Sequence, residues 1–271
     1  MSNEAERRRW NDAYWSSIWP RREAFTARVT PILVDRLSPA DGAQVLEVGC
    51  GGGTASFALA ERVGPGRVVG VDLSASLVSL AEERAAARGA GNVSFVVGDA
   101  QEDPLPAGPF YVVASQFGVM FFDEPSRAFS RLRGHTRPGG RLGFACWRDP
   151  ASNPWNVGPA LAPFLPTPPG PAPGKSATGP FSLADASATA ALLSAAGWGG
   201  VEVEAHDLVV AVEREALFEV GELDFRGVPA DRRDEALAAV EERLDRLARP
   251  DGRLDAPLAF WTVTAVAPLG A

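Results

Sequence analysis

Between residues 41 and 147, short apolar runs alternate with longer amphipathic segments. The apolar runs predict strands at 45–49, 67–72, 93–98, 110–115 and 141–147. The amphipathic segments predict helices at 54–64, 74–89 and 124–134. This alternation is typical of a parallel sheet with helices on both faces. We therefore predict an α/β fold built on a doubly wound, Rossmann-like sheet.

The flanking segments predict further elements around this core. Two helices are expected at 4–17 and 21–37, separated at Pro20 because proline lacks the amide hydrogen needed inside a helix. Later segments predict helices at 181–197, 213–223 and 230–249, and antiparallel strands at 201–205 and 259–266. The Pro- and Gly-rich residues 162–182 predict a mobile loop bordering a substrate cavity. The sheet should be mostly parallel, with an antiparallel last strand.

We interpret the chain as a single domain with four parts. They are an N-terminal helical lid (1–40), a ligand-binding Rossmann-like core (41–147), a substrate-side loop and helix (148–200), and C-terminal strands and helices that complete the sheet (201–271). At 271 residues, the chain needs no second independent core.

Three predicted strand ends carry glycine or acidic residues. The first strand leads into Gly-Cys-Gly-Gly-Gly-Thr at 49–54, the second ends in Asp72, and the third is followed by Asp99. Ligands of such sheets lie beyond the carboxyl ends of the strands. A carboxylate such as Asp72 can accept both hydroxyls of a ribose. The three strand ends therefore predict a nucleoside pocket.

The glycine loop differs from that of dinucleotide-binding proteins. Thr54 stands where the third glycine of the dinucleotide fingerprint belongs, and Glu47 places a carboxylate where it would oppose a phosphate. These two residues disfavour an NAD-type dehydrogenase. A cofactor with ribose and adenine but without phosphate suits the loop better.

The loop resembles motif I of class I S-adenosylmethionine (SAM) methyltransferases. The consensus of an acidic residue, any residue and then Gly-x-Gly-x-Gly is matched by Glu47, Gly49, Gly51 and Gly53. The resemblance implies SAM as the cofactor and a UbiE-like (type-11) methyltransferase domain acting on a small molecule. It also implies that the residue at position 72 binds the ribose diol and that the residue at position 99 contacts the adenine amino group.

An aromatic cluster precedes the loop. Trp10, Tyr14 and Trp15 resemble a helix of small-molecule methyltransferases that closes over the methionine end of SAM, although packing on the core explains the cluster equally well. The expected cofactor-binding residues are Trp15, Gly49, Cys50, Gly51, Thr54, Asp72, Leu73, Asp99, Ala100, Ser115 and Gln116. The expected substrate pocket consists of Tyr14, Phe117, Met120, Phe121, Trp147 and Trp155. Cys50 is interpreted as a small spacer.

Methyl transfer from SAM needs positioning more than acid–base chemistry, so a general base is optional. The chain has two histidines. His135 precedes the turn into the fifth predicted strand and is assigned a structural role. His206 follows the 201–205 strand and is the candidate base, with a solvated or hydrogen-bonded side chain as the alternative.

The composition of the chain limits the classes of binding partner that are expected. The net charge of −8 argues against a nucleic-acid surface, which needs clustered cations. The charged amino terminus and the lack of a long apolar segment favour a soluble, cytoplasmic protein, monomeric or homodimeric, with no membrane partner. No metal-ligand spacing is present, and two cysteines imply no disulfide framework.

The sequence therefore predicts methyl transfer to oxygen, nitrogen or carbon of a small organic acceptor, possibly a natural product. An alternative is a SAM-fold enzyme that catalyses a cyclisation or rearrangement without methyl transfer. A non-enzymatic cofactor-sensing module is a third hypothesis, and the aromatic lid counts against it.

Overall fold

A computed structural model describes residues 4–165 and 178–269. In these residues the chain forms one sheet of seven strands, which are β1 (Gln44–Val48), β2 (Arg67–Asp72), β3 (Val93–Val97), β4 (Phe110–Gln116), β5 (Thr136–Trp147), β6 (Gly199–Val212) and β7 (Leu254–Val266). Their order across the sheet is β3-β2-β1-β4-β5-β7-β6. The first five strands are parallel, and β7 runs antiparallel to both β5 and β6. The predicted mostly parallel sheet is confirmed.

Helices cover both faces of this sheet. In the described residues they are α1 (Glu4–Trp10), α2 (Ala13–Thr26), α3 (Val29–Leu37), α4 (Thr54–Val63), α5 (Ala75–Arg88), α6 (Pro125–Gly134), α7 (Gly158–Leu161), α8 (Ala186–Ala195), α9 (Gly221–Arg226) and α10 (Arg233–Asp245). One apolar core contains side chains of α3, α4 and α5, and the other contains side chains of α6, α8 and α10. The prediction of a doubly wound sheet is therefore confirmed.

The strand order reverses between β1 and β4. From β1 the chain moves outward to β2 and β3, and it then returns to the other side of β1 as β4. The carboxyl ends of β1 and β4 therefore open a crevice, which is where ligands of doubly wound sheets bind. Residues 45–48 of β1 are all buried, as expected for a central parallel strand with helices on both sides.

The predicted helix break at Pro20 is wrong. The structure has three N-terminal helices, and α2 continues through Pro20. It begins at a cap where the Asp12 side chain accepts a hydrogen bond from the Tyr14 amide at 2.9 Å. Burial of Ile18 and Phe25 on either side of the proline outweighs the lost backbone hydrogen bond, so tertiary packing sets the helix ends.

The C-terminal elements also differ in length from the prediction. The antiparallel pairing of the last two strands is confirmed, but β6 and β7 extend well beyond 201–205 and 259–266. The predicted helices at 213–223 and 230–249 are replaced by the shorter α9 and α10. Most of the predicted loop at 162–182 lies outside the described residues. No helix in the described part of the chain has the length and apolarity to cross a membrane.

Candidate active site

The glycine loop joins β1 to α4 at the crevice. Gly49 has a φ of +70°, and the Gly49 amide donates to the Val71 carbonyl at 2.8 Å, which ties the loop to the end of β2. A Cβ atom on Gly49 would lie 2.7 Å from the Cα of Gly118, which follows β4. Both the backbone conformation and this close approach therefore require glycine at position 49.

Asp72 ends β2 beside the loop. One carboxylate oxygen accepts from the Gly51 amide at 2.8 Å, and the other accepts from the Ser74 amide at 2.9 Å. Burial raises the pKa of Asp72, and these amide donors oppose the rise. Each oxygen keeps a second lone pair, so the carboxylate is held in place with acceptor capacity left for a ligand.

Asp99 follows β3 and leaves one acceptor unused. Its Oδ1 atom accepts from the Gln101 amide at 2.8 Å, while its Oδ2 atom is buried and has no hydrogen-bond partner among the described residues. Burial raises the pKa of this carboxyl group. An unpaired buried acceptor is costly, and a ligand amino group would satisfy it.

A cavity of about 270 Å³ connects these strand ends to the N-terminal helices. It runs from the glycine loop past α1 and α2 to an aromatic wall. This wall is formed by Phe117, which follows β4, and by Trp147 and Trp155 at and beyond the end of β5. The predicted site residues that line it are Trp15, Gly49, Cys50, Thr54, Asp72, Leu73, Asp99, Ala100, Gln116, Phe117, Met120, Phe121, Trp147 and Trp155. The structure thus brings residues predicted for the cofactor site and for the substrate pocket, from distant parts of the chain, to one cavity.

Three predicted site residues lie behind the cavity wall. Gly51 contributes the amide that orients Asp72. Ser115 is fully buried, and its hydroxyl donates to the Val48 carbonyl at 2.7 Å, which ties β4 to β1. Tyr14 is not among the residues that line the cavity, and its hydroxyl donates to the cavity-lining Glu222 at 3.1 Å. Burial beside Glu222 raises the pKa of Tyr14. These three residues therefore support the site and do not line it.

His206 also lies away from the cavity. Strand β6 does run in the same direction as β5, but it continues to Val212, so His206 is in the middle of the strand and not at its end. Its ring stacks on Phe260 and its Nε2 atom lies 2.8 Å from the Thr262 hydroxyl. The neighbouring Asp207 pairs with Arg148. These contacts match the hydrogen-bonded alternative, and His206 is not among the residues that line the cavity.

The aromatic wall is held in a strained conformation. Phe117 has a φ of +61°, which is uncommon for a residue with a side chain, and its ring stacks on Trp147 with centroids 4.0 Å apart. Trp155 packs against Trp147 and donates to the buried side chain of Asn153 at 3.1 Å. The wall thus presents flat aromatic surfaces in a fixed arrangement.

Three residues that join the lid to the glycine loop were missed by the sequence analysis. Trp19 covers the loop so closely that a Cβ atom on Gly51 would overlap its ring. Glu23, one turn later in α2, accepts hydrogen bonds from Thr54 and, at 2.7 Å, from Arg84, whose guanidinium also donates to the Gly52 carbonyl. The predicted break at Pro20 separated Trp19 from Glu23 and concealed this arrangement.

A charged group at the other end of the lid was also missed. Arg9, Arg22, Glu222 and Arg226 all line the cavity. They come from α1 and α2 at the start of the chain and from α9, which is 200 residues beyond α2 when counted from Arg22 to Glu222. No local spacing pattern in the sequence could have connected them.

Glu47 lies beneath the glycine loop and is 1% exposed. Its carboxyl group accepts a hydrogen bond from Ser56, and burial is the main cause of a pKa raised to about 8, with smaller contributions from Asp72 and Glu23. A carboxyl group whose pKa is higher in the folded than in the unfolded protein stabilises the fold most at low pH. That contribution is lost as the pH rises towards about 8.

We therefore expect Glu47→Gln to remove a pH dependence of stability. Between about pH 5 and about pH 9, the wild-type free energy of unfolding should fall by an extra amount on the order of a few kcal/mol relative to the variant. Denaturant unfolding of the ligand-free protein at several pH values measures this. Glu82→Gln, an exposed change on α5, should keep the wild-type slope. Parallel slopes for wild type and Glu47→Gln would contradict the assignment.

Comparison with known proteins identifies the central region. Residues 45–140 match the family model described as a methyltransferase domain. Nocamycin O-methyltransferase of Saccharothrix syringae is 38% identical over 137 residues, which cover 50% of this chain and 49% of the relative. Aklanonic acid methyltransferase DauC of Streptomyces sp. (strain C5) is 36% identical over 113 residues, which cover 41% of this chain and 51% of the relative. The chain thus spans about half the length of these curated relatives.

Solved structures share the fold. The YcgJ protein of Bacillus subtilis superimposes with a TM-score of 0.61 at 17% identity, covering 90% of this chain and 99% of that protein. The unpaired Asp99 oxygen and the spare acceptor capacity of Asp72 are compatible with the amino and hydroxyl groups of an adenosine. Residues 45–140 therefore form a class I S-adenosylmethionine-dependent methyltransferase domain.

Proposed function

We propose that the protein transfers a methyl group from SAM to oxygen, nitrogen or carbon of a small organic acceptor. The observation that carries this proposal is the single cavity that joins the cofactor end of the sheet to the aromatic wall. A cofactor placed against the strand ends would face that wall across the same cavity. Flat aromatic surfaces at Phe117 and Trp147 suit a planar acceptor.

Two carboxylates would hold the adenosine part of the cofactor. Asp72, fixed by the Gly51 and Ser74 amides, would accept the ribose hydroxyls. Asp99 would accept the adenine amino group with its unpaired Oδ2 atom. When bound, SAM supplies a methyl group on a positively charged sulfur for in-line displacement. The methyl–sulfur bond breaks as the bond to the acceptor forms, and the sulfur keeps the electron pair.

The protein would contribute mainly positioning and exclusion of water. Holding nucleophile and methyl donor in line contributes up to about 7–11 kcal/mol in favourable systems. Within the described chain, no histidine lines the cavity, and Glu23 and Glu222 are both engaged by arginines. None of these groups is free to act as a base. An acceptor that ionises readily therefore suits the site best.

The names of the relatives support a natural-product acceptor. One relative is a nocamycin O-methyltransferase and another is an aklanonic acid methyltransferase. Because this chain spans only about half of each, the nature of its own acceptor remains part of the proposal.

The test is incubation of the purified protein with SAM and a panel of phenols, enols and quinols. We expect S-adenosylhomocysteine to form together with a product that carries one additional methyl group, both detected by mass spectrometry. Conversion of an acceptor without S-adenosylhomocysteine would contradict methyl transfer and favour the cyclisation or rearrangement alternative. Binding of NADH without binding of SAM would contradict the cofactor assignment as well.

A further inference from the structure

Three arginines and one glutamate, from α1, α2 and α9, line the cavity. Glu222 on α9 is 3% exposed. Its Oε2 atom accepts from Arg22 at 2.8 Å and from the Tyr14 hydroxyl at 3.1 Å, while its Oε1 atom accepts from the Arg226 Nε at 2.8 Å. Both oxygens of the only cavity-lining carboxylate in this described cluster are therefore committed to Arg22, Arg226 and Tyr14.

Arg9, the third arginine, has no comparable partner. The closest carboxylate oxygen, on Glu6, is 3.8 Å away, beyond hydrogen-bond distance. Both Glu6 oxygens instead accept hydrogen bonds from Trp10 and Thr178. The Nε atom of Arg9 is buried and has no hydrogen-bond partner in the described structure. Arg9 thus presents a charged donor to the cavity wall without a matching acceptor.

Aromatic rings surround the guanidinium of Arg9. Its guanidinium lies 5.7 Å from the ring centroids of Trp10 and Phe121 and 5.9 Å from that of Trp15. Burial is the main cause of a lowered pKa of Arg9; the negative charges of Glu6 and Glu222 oppose the lowering, and the like charge of Arg226 adds to it. The indole nitrogen of Trp15 is also buried without a partner among the described residues.

This group of charged residues carries more positive than negative charge. Arg9, Arg22 and Arg226 carry three positive charges, whereas Glu222 and Glu6 carry two negative ones. Arg9 is paired less closely than Arg22 and Arg226, because its ion pair with Glu6 spans 3.8 Å, and a ligand anion would compensate its charge. Two donors in this group are unused, the Arg9 Nε atom and the Trp15 indole nitrogen. Together with the excess positive charge, they favour a ligand that is negatively charged and rich in acceptors.

We propose that the methyl acceptor is a planar organic anion whose carboxylate or ionised enol is bound by Arg9 and Trp15. This inference rests on the proposed function, because it concerns the acceptor of the same cavity. The rings of Trp10, Trp15 and Phe121 flank the guanidinium and match a flat, delocalised anion. Binding the acceptor in its ionised form also fits a cavity in which Glu23 and Glu222 are both paired with arginines.

The probes are 1-hydroxy-2-naphthoate and the matching neutral amide, titrated calorimetrically into protein saturated with S-adenosylhomocysteine. We expect the carboxylate to bind at least about tenfold more tightly than the amide, because charged hydrogen bonds are roughly twice as strong as neutral ones. Arg9→Gln should abolish that preference, and Arg9→Lys should retain part of it. Arg246→Gln, an exposed change at the C-terminal cap of α10, should keep the wild-type preference.

Two results would overturn the inference. The first is equal affinity for the two probes, or no binding of the carboxylate, in a wild-type protein that binds S-adenosylhomocysteine. The second is a loss of S-adenosylhomocysteine affinity in Arg9→Gln as large as the loss for the carboxylate probe. That result would mean that Arg9 binds the methionyl carboxylate of the cofactor. Failure of the proposed function itself is distinguishable, since it would appear as absent cofactor binding in the wild type.

Discussion

Replacement of Asp72 by alanine is expected to weaken SAM binding by at least about 100-fold, since two hydrogen bonds to a charged group are worth about 1.5–3 kcal/mol each. The variant also loses the acceptors for the Gly51 and Ser74 amides, so the glycine loop should become less ordered. Calorimetric titration of the variant with SAM measures the affinity directly.

One further variant separates the charge of Asp72 from its shape, and a second variant elsewhere in the chain serves as a control. Asp72→Asn keeps the size of the side chain. Its affinity for SAM should lie between those of the wild type and of Asp72→Ala, because one acceptor becomes a donor. Asp251→Ala removes a solvent-exposed carboxylate that pairs with Arg253, and it should bind SAM normally. Near-normal affinity in Asp72→Ala would show that the ribose lies elsewhere.

Gly118→Ala is expected to have the second large effect, on both stability and cofactor binding. Gly118 has a φ of −86°, which alanine adopts readily, so the added methyl group is the only change. That methyl would lie 2.7 Å from the Val48 carbonyl oxygen and 2.8 Å from the Cα of Gly49. We expect a destabilisation of about 1–3 kcal/mol and a SAM affinity at least about tenfold lower.

Thermal unfolding and titration with SAM measure these two effects. Gly134→Ala is the matched control, because a Cβ atom at the end of α6 meets nothing within 4 Å. It should leave both measurements unchanged or raise stability slightly, since alanine favours helix more than glycine does. If Gly118→Ala behaved like Gly134→Ala, the close contact between the β1 and β4 ends would not constrain the cofactor loop.

The core of the fold could be predicted because its signals are local. Apolar runs at 45–49 and 67–72 are short and end in glycine or aspartate, and each becomes a buried strand whose last residues face the crevice. Parallel strands place their carboxyl ends at one edge of the sheet, so Asp72 and Asp99 were expected to lie close to Gly49. The structure brings all three to one cavity.

The lid was less predictable because tertiary packing decides its helix ends. Proline at position 20 normally ends a helix, yet α2 continues to Thr26 and places Trp19 over the glycine loop. The register of α2 also turns Trp15 toward the cavity and Tyr14 toward Glu222. Neighbouring residues on a helix point about 100° apart, so an aromatic pair in sequence does not face one site.

The arginine group could not be derived from the sequence. Arg9 and Arg22 lie in the first helices, and Glu222 and Arg226 lie in α9, which is between β6 and β7 in the chain. Each taken alone is an ordinary charged residue on an amphipathic segment. Their role depends on the packing of α2 against α9, which no spacing rule describes. His206 shows the opposite case, because a strand that was longer than predicted moved a plausible base away from the site.

The most direct test of the account is calorimetric titration of the purified protein with S-adenosylhomocysteine. The account predicts one binding site per chain, with a dissociation constant in the micromolar range or below, and loss of that binding in Asp72→Ala. Absence of heat with both S-adenosylhomocysteine and SAM, in protein shown to be folded, would contradict it.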